Sequence, residues 1–351
     1  MWDRYVIRRK INSAARRAGL TWAPMLPFRA WIVSTGRCNL KCRHCRAHAP
    51  VHNYDPNWFT DMRPEIYERV RRELLPGLGV IHLSGGGEPF IAPIFYRMLD
   101  DMLDGQRYVG VVTNGTVIRP DILERLVSSP SLLRVSIDST QPELMEYIRT
   151  GVKFERVMRF METLKEIRSR IRDHPRFVLE ISWVVTRSNV AQMTECVELA
   201  HRYKVHHVCF GNFVTDDRTD EFAMRESLMN RPEEVLPHWQ RAHDRGRELG
   251  LAVYPIAFDC ADRPAEERQE KKPDMYYEGR IRPCPVPWWA VYIELDGTVK
   301  PCCVFRYSFG NLAEQSFREI WNGPKFRDLR RTVNTPDMPE TCKHCFIQER
   351  L

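Results

Sequence analysis

From residue 30 to about residue 215, short apolar runs alternate with longer amphipathic stretches, and that alternation limits the fold more than any other property of the chain. Candidate strands cover 30–35, 79–84, 107–113, 132–137, 177–186 and 205–211. Between them 63–75, 94–103, 120–126, 154–171 and 190–203 place apolar residues three and four apart, the spacing of one buried helix face. Strand–helix order implies parallel strands joined by right-handed crossovers, hence an α/β fold whose ligands sit at the carboxyl ends of the strands. A further helix is read at 237–249, before a strand-like 251–256.

Directly after the first apolar run comes Cys38-Asn39-Leu40-Lys41-Cys42-Arg43-His44-Cys45, three thiolates within eight residues and no local fourth cysteine. Thiolates select zinc, copper(I) or iron–sulfur centres. Structural zinc requires a fourth ligand, here His44 or His48, whereas an iron–sulfur cube held by three cysteines keeps one iron open.

The chain has 351 residues, 43% of them apolar and 28% charged, which suits a globular protein of two domains. No apolar run reaches membrane-spanning length and no secretory core is present, so a cytoplasmic location is expected. Eleven cysteines, an odd number grouped at ligand spacings, argue against a disulfide framework. The formal charge of +7 is concentrated in residues 1–29, with seven Lys or Arg against Asp3 alone. Such a basic segment either packs on the barrel as a solvated helix or meets an anionic surface; its Arg-rich, acid-poor character also suits a transit peptide.

Further motifs fall at strand ends. His82-Leu83-Ser84-Gly85-Gly86-Gly87-Glu88-Pro89 follows the apolar pair Val80-Ile81. Val111-Val112-Thr113-Asn114-Gly115-Thr116 closes in an Asn-Gly turn. Leu133-Arg134-Val135-Ser136-Ile137-Asp138-Ser139 alternates at strand period, which puts Ser136 and Asp138 on one face. Each motif alone reads as a turn or a structural polar residue.

Together with the CxxxCxxC spacing they resemble the radical S-adenosylmethionine (radical SAM) enzymes. The resemblance implies a partial (βα)6 TIM-like barrel. It further implies a [4Fe–4S] cluster on Cys38, Cys42 and Cys45 whose open iron chelates SAM, and reductive cleavage of SAM to a 5′-deoxyadenosyl radical that abstracts a substrate hydrogen. By the same resemblance His44, Gly86, Gly87, Glu88, Asn114, Ser136, Asp138 and Arg187 are the expected SAM contacts, with Gly86, Gly87 and Glu88 at the amino group. A one-electron donor such as flavodoxin or ferredoxin is the implied partner.

Past a charged, proline-containing linker at 262–276 lie Cys284, Cys302, Cys303, Cys342 and Cys345. Asp296-Gly297 between alternating apolar residues predicts a β-hairpin leading to Cys302. Four thiolates close either zinc or a complete cube. The order Cys284, Gly297, Cys302, Phe309-Gly310-Asn311-Leu312, Ile320-Trp321-Asn322 and Cys342-Lys343-His344-Cys345 resembles the SPASM/twitch extension of radical SAM enzymes. That implies an auxiliary [4Fe–4S] cluster on Cys284, Cys302, Cys342 and Cys345, with Cys303 as the alternative to Cys302. Because the chain stops six residues after Cys345, one auxiliary cluster is expected, as in the twitch domain of a dehydrogenase acting on an aminocyclitol. Of the other cysteines, Cys196 reads as core and Cys209 as either core or cavity-facing; Cys260 has no partner spacing.

The expected organisation is therefore a basic extension at 1–29, the barrel with its following helix and strand at 30–261, the linker, and an auxiliary-cluster domain at 277–351. The expected activity is dehydrogenation or related C–H functionalisation of a sugar-like or aminocyclitol-like small molecule, with the auxiliary cluster accepting an electron. Modification of a ribosomal peptide side chain is the alternative. A non-catalytic zinc-stabilised binding protein is the reading from another class.

Overall fold

The computed structural model describes residues 2–45, 47, 58–213, 220–228, 231–256, 276–277, 280–281 and 284–343. Seven strands run in sequence order across one sheet: β1 (Arg29–Ile32), β2 (Val80–Leu83), β3 (Tyr108–Thr113), β4 (Ser131–Ser136), β5 (Val178–Val185), β6 (His207–Asn212) and β7 (Ala252–Ile256). Every neighbouring pair is parallel. A short antiparallel ladder joins β8 (Tyr276–Tyr277) to β9 (Arg280–Ile281). Beyond it β10 (Ala290–Ile293), β11 (Thr298–Lys300) and β12 (Gly310–Asn311) return to the main sheet, with β10 parallel to β1.

The sheet is thus a partial barrel of the expected kind, extended on both sides of the six predicted strands. The 251–256 run is a seventh parallel strand beside β6. The predicted hairpin forms as β10–β11, with Ile293 opposite Val299, yet it continues the barrel sheet rather than forming a sheet of its own. Gly297 lies in its turn at φ +89°, a conformation that L side chains rarely adopt.

Helices fill the crossovers: α1 (Trp2–Arg17) before the barrel, then α2 (Pro64–Glu73), α3 (Pro93–Asp104), α4 (Pro120–Val127), α5 (Pro142–Ile148), α6 (Phe154–Arg170), α7 (Met193–Arg202), α8 (Glu221–Glu226) and α9 (Pro232–Glu248). Proline opens α2, α3, α4, α5 and α9, where its missing N–H costs nothing. The ninth helix starts five residues before the predicted Pro237, which lies within it. α3 buries Phe95, Met98, Leu99, Met102 and Leu103, and α6 buries Val157, Phe160, Met161, Leu164 and Ile167. Each such side chain contributes about 1.5–3 kcal/mol. On the sheet, Ile81, Leu83, Val109, Val111, Leu133 and Val135 are fully buried. Alternate positions Trp31, His82, Arg134, Ser136 and Ser182 stay half-buried on the opposite face.

The C-terminal region adds α10 (Val286–Trp289), α11 (Phe317–Trp321), α12 (Pro324–Thr332) and α13 (Glu340–Lys343). It is tied to the N-terminal segment. Asn322 exchanges hydrogen bonds with both backbone groups of Ala23, the Trp321 indole donates to Met25 O, and the Asn12 amide of α1 donates to Trp288 O. The basic extension is therefore a docked helix, with Arg9, Lys10 and Arg17 on its exposed side. The predicted linker, apart from Tyr276, lies outside the described residues. No described helix is long and apolar enough to cross a membrane.

Candidate active site

The three-cysteine loop leaves the carboxyl end of β1. Its base is fixed by Asp61, which accepts from the Thr35 hydroxyl at 2.6 Å and from Arg37 Nε and Nη2 at 3.0 and 2.6 Å. Its tip is fixed by the segment after α5: Arg43 N donates to Ile148 O at 2.9 Å and Lys41 N to Thr150 O at 2.8 Å, bracketing Cys42. Cys42 is buried, while Cys38 and Cys45 are half-buried, and none of the three is in a disulfide. They lie close enough to perturb one another electrostatically. Burial pushes the Cys42 thiol up to about 12, opposed by the Arg149 guanidinium. N–H donors already face the sulfurs: Leu40 N and Asn114 Nδ2 toward Cys38 at 3.4 and 3.9 Å, and Arg149 Nη1 toward Cys42 at 3.9 Å. Three thiols without disulfides, ringed by donors and one buried cation, suit an anionic thiolate-ligated cluster.

The glycine-rich turn after β2 lies directly against this loop. Gly87 N donates to Thr35 O at 2.7 Å and Glu88 N to Arg37 O at 2.8 Å. A Cβ on Gly86 would stand 2.4 Å from Thr35 O, and one on Gly87 1.6 Å from Arg37 O. Both glycines are thus needed for backbone-to-backbone approach. Gly85 has φ +118°, and its carbonyl accepts from the Tyr292 hydroxyl of β10 at 3.3 Å. Glu88 is 2% exposed; Oε1 accepts from Thr113 Oγ1 at 2.7 Å and Phe90 N at 3.2 Å, and Oε2 from Asn114 N at 2.7 Å. Burial raises its carboxyl to about 7 despite these bonds.

The remaining strand-end residues depart in part from expectation. The Asn114 side chain is taken up by the protein: Nδ2 donates to Asn39 Oδ1 at 2.9 Å, and Oδ1 accepts from Thr116 N and Oγ1 at 2.9 and 2.6 Å. Ser136 ends β4 half-buried, paired in register with Ser182. Asp138 lies two residues past the end of β4. It is fully buried, with Oδ1 accepting from Val184 N at 2.7 Å and Oδ2 from Arg149 Nε at 2.6 Å. His44 Nε2 lies 3.5 Å from the same Oδ2, while its buried Nδ1 has no hydrogen-bond partner among the described residues. Burial lowers His44 to about 4, so the ring is neutral at pH 7. Arg187 is directed elsewhere: it pairs with Glu234 of α9 and donates from Nε to Arg225 O at 3.1 Å. Cys196 is core, and Cys209 is buried on the sheet face that carries Ser182, its register partner.

In the second set, Cys284, Cys302 and Cys342 line one apolar recess with Val286, Val304, Phe305 and Leu329. Asn334 holds Cys284 there by accepting from its N–H at 2.6 Å and donating to its carbonyl at 3.3 Å. Cys303 is exposed, which decides for Cys302 as the recess-facing thiol. Cys345 lies outside the described residues, as do Cys260 and His48.

Residues 32–174 match the model of the Radical SAM superfamily, and residues 284–346 match SPASM, an iron–sulfur cluster-binding domain. The chain is a radical SAM protein with a SPASM domain. Its cofactors are accordingly SAM, the SAM-binding [4Fe–4S] cluster and auxiliary iron–sulfur clustering in the SPASM region. It is 28% identical over 321 residues to the AdoMet-dependent heme synthase of Methanosarcina barkeri, covering 89% of this chain and 86% of that protein. It is 26% identical over 334 residues to the subtilosin biosynthesis protein AlbA of Bacillus subtilis, covering 91% of this chain and 64% of AlbA. Among solved structures, Streptococcus suis SuiB bound to S-adenosylmethionine superimposes with a TM-score of 0.67 at 16% identity, over 96% of this chain and 75% of SuiB. The AdoMet-bound anSMEcpe gives 0.63 at 20% identity, over 91% and 83%. At such identities the likeness shows the fold.

Sequence reasoning missed Arg149 in this radical SAM site. An arginine closing a short helix carries no motif, and its alignment with Cys42 comes from two long-range backbone hydrogen bonds.

Proposed function

We propose that this radical SAM enzyme catalyses a two-electron oxidation at a substrate C–H, with the SPASM region as the electron-accepting side. The observation that carries this reading is the sheet itself. β10 runs beside β1, and Cys284 and Cys302 of the recess flank the α10–β10–β11 segment, so the segment that carries the recess joins directly to the strand from which the loop of Cys38, Cys42 and Cys45 leaves. When bound, SAM and its reduced cluster supply the 5′-deoxyadenosyl radical that removes a hydrogen atom, and an auxiliary cluster supplies the acceptor for the electron that follows as a proton leaves. The one-electron donor in this reading is a flavodoxin or ferredoxin.

The chain's own groups hold and orient. Glu88, pinned between the ends of β2 and β3, accepts the SAM ammonium through the capacity its three hydrogen bonds leave. The orphaned His44 Nδ1 and the Ser136 hydroxyl offer further polar contacts. Asn114 and Asp138 act through the cysteine loop, and Arg187 belongs to the β5–α9 edge. Since the free Glu88 carboxyl is held near 7, SAM binding should weaken about tenfold from pH 8 to pH 6 as the carboxylate is lost. Equilibrium binding to the anaerobic protein measures this, and a slope that survives in Glu88→Gln would remove Glu88 from the role.

For the substrate, the half-buried Trp31, His82, Arg134 and Ser182 on one sheet face favour an extended molecule, and we assign a peptide side chain. The sugar-like substrate expected from sequence finds no counterpart among the named relatives, whereas AlbA is named for bacteriocin biosynthesis. A heme precursor is the second reading, favoured by the match along 86% of a heme synthase. Mass analysis of candidate peptides and porphyrins after turnover separates the two. The oxidation itself is tested at the recess: Cys302→Ala should lose about four irons, keep SAM cleavage and lose oxidised product, while Cys303→Ala keeps all three. Undiminished product from an iron-depleted Cys302→Ala would refute an electron-accepting SPASM region.

A further inference from the structure

We propose that Arg149 is a positioning residue of the SAM-binding cluster: its guanidinium, anchored by Asp138, holds the Cys42 thiolate and raises the reduction potential of the cluster. Arg149 follows α5 as its C-cap and is 6% exposed. Its backbone neighbours, Ile148 and Thr150, accept hydrogen bonds from Arg43 and Lys41, so the residue faces Cys42 across a two-bond ladder. One end of the fork, Nε, donates to Asp138 Oδ2 at 2.6 Å, and Nη1 points at Cys42 Sγ from 3.9 Å. Asp138 cannot swing away, because its other oxygen accepts from Val184 N of β5.

A buried ion pair with a single purpose in folding gains little, since desolvating two charges offsets their attraction. Here the pair is oriented, cation toward sulfur and anion toward the main chain of β5. A cation and an N–H donor beside a cluster thiolate stabilise the reduced, more negative state, which raises the potential. The acidic groups that feel Arg149 are Asp138, Cys42, Cys45 and the Glu88 carboxyl. Lysine in its place would keep the charge but lose the planar fork that spans carboxylate and sulfur.

The inference concerns the cluster alone and stands whatever the substrate proves to be. The test uses the full chain, reconstituted anaerobically, in redox titrations followed by EPR, with the SAM-binding cluster identified as the signal that added SAM alters. Arg149→Gln should shift the one-electron equilibrium about tenfold toward the oxidised form, about 59 mV, and Arg149→Lys should recover part of that shift. A fully iron-loaded Arg149→Gln with the wild-type potential overturns the proposal. Should Arg149→Gln load poorly, the wild-type protein decides: with guanidino-15N arginine, pulsed EPR of the reduced cluster should show a 15N coupling that Arg149→Lys lacks. Absence of that coupling, or its persistence in Arg149→Lys, overturns the proposal equally.

Discussion

Replacing Cys38, Cys42 and Cys45 together by alanine should abolish 5′-deoxyadenosine formation from SAM and reduce bound iron by about four per chain, leaving the SPASM iron in place. The loss should be complete rather than graded, because all three thiolates of the loop go at once and a single remaining donor such as the His44 imidazole, whose Nε2 lies 3.5 Å from Asp138 Oδ2, does not hold a cluster. The fold should survive, since the loop is held at its base by Asp61 and at its tip by the Ile148 and Thr150 carbonyls, none of which involves a sulfur. Anaerobic reconstitution, iron analysis and chromatography of the SAM products measure all three parts. SAM cleavage at the wild-type rate in the triple variant would detach the radical chemistry from this loop, and loss of all iron would mean that the two cysteine sets do not load independently.

The strands and helices of the barrel were legible because each is a local pattern. Ser131–Ser136 alternates at period two, Tyr108–Thr113 is a short apolar run, and α4 and α6 keep one apolar stripe. The cysteine spacing and the position of Glu88 at a strand end were equally local. What escaped was long-range. Nothing in Ala290–Ile293 says that its partner is β1, more than 250 residues earlier, and so the SPASM hairpin was expected as a unit apart. Asp138 was expected in the strand rhythm of Ser136, but the rhythm stops at Ser136 and the carboxylate turns to Arg149, which no spacing connects to it. Arg187 was read as a SAM contact from its place after β5, and a carboxylate from α9, Glu234, takes it. Asn114 was seen as a strand-end ligand, and its role as the clasp between the β3 turn and Asn39 depends on a loop 75 residues away.

The glycines show the same limit and yield the second large effect. Gly86 and Gly87 were read as cofactor contacts, whereas the structure gives them a steric duty first: the turn after β2 is pressed onto the backbone of the cysteine loop. In Gly87→Ala the new methyl carbon would stand 1.6 Å from Arg37 O and 2.8 Å from Arg37 N, and neither atom belongs to a flexible side chain that can rotate aside. Relief requires the two loops to part, which breaks the Gly87–Thr35 and Glu88–Arg37 hydrogen bonds and carries Glu88 off its seat beside Thr113 and Asn114. Overpacking of this kind costs about 3 kcal/mol or more when the neighbours are rigid. Gly87→Ala should therefore lower the unfolding midpoint, lose most of the iron of the three-cysteine site and cleave SAM at least about a hundredfold more slowly, two decades being about 2.7 kcal/mol of barrier. Gly19→Ala is the control. Unlike Gly87, Gly19 has a positive φ, +70°, but a Cβ there meets nothing within 4 Å, so only the dihedral penalty of about 1–2 kcal/mol applies and the iron stays bound. Equal iron content and equal SAM cleavage in the two variants would mean that the close approach of the loops is not what Gly87 secures.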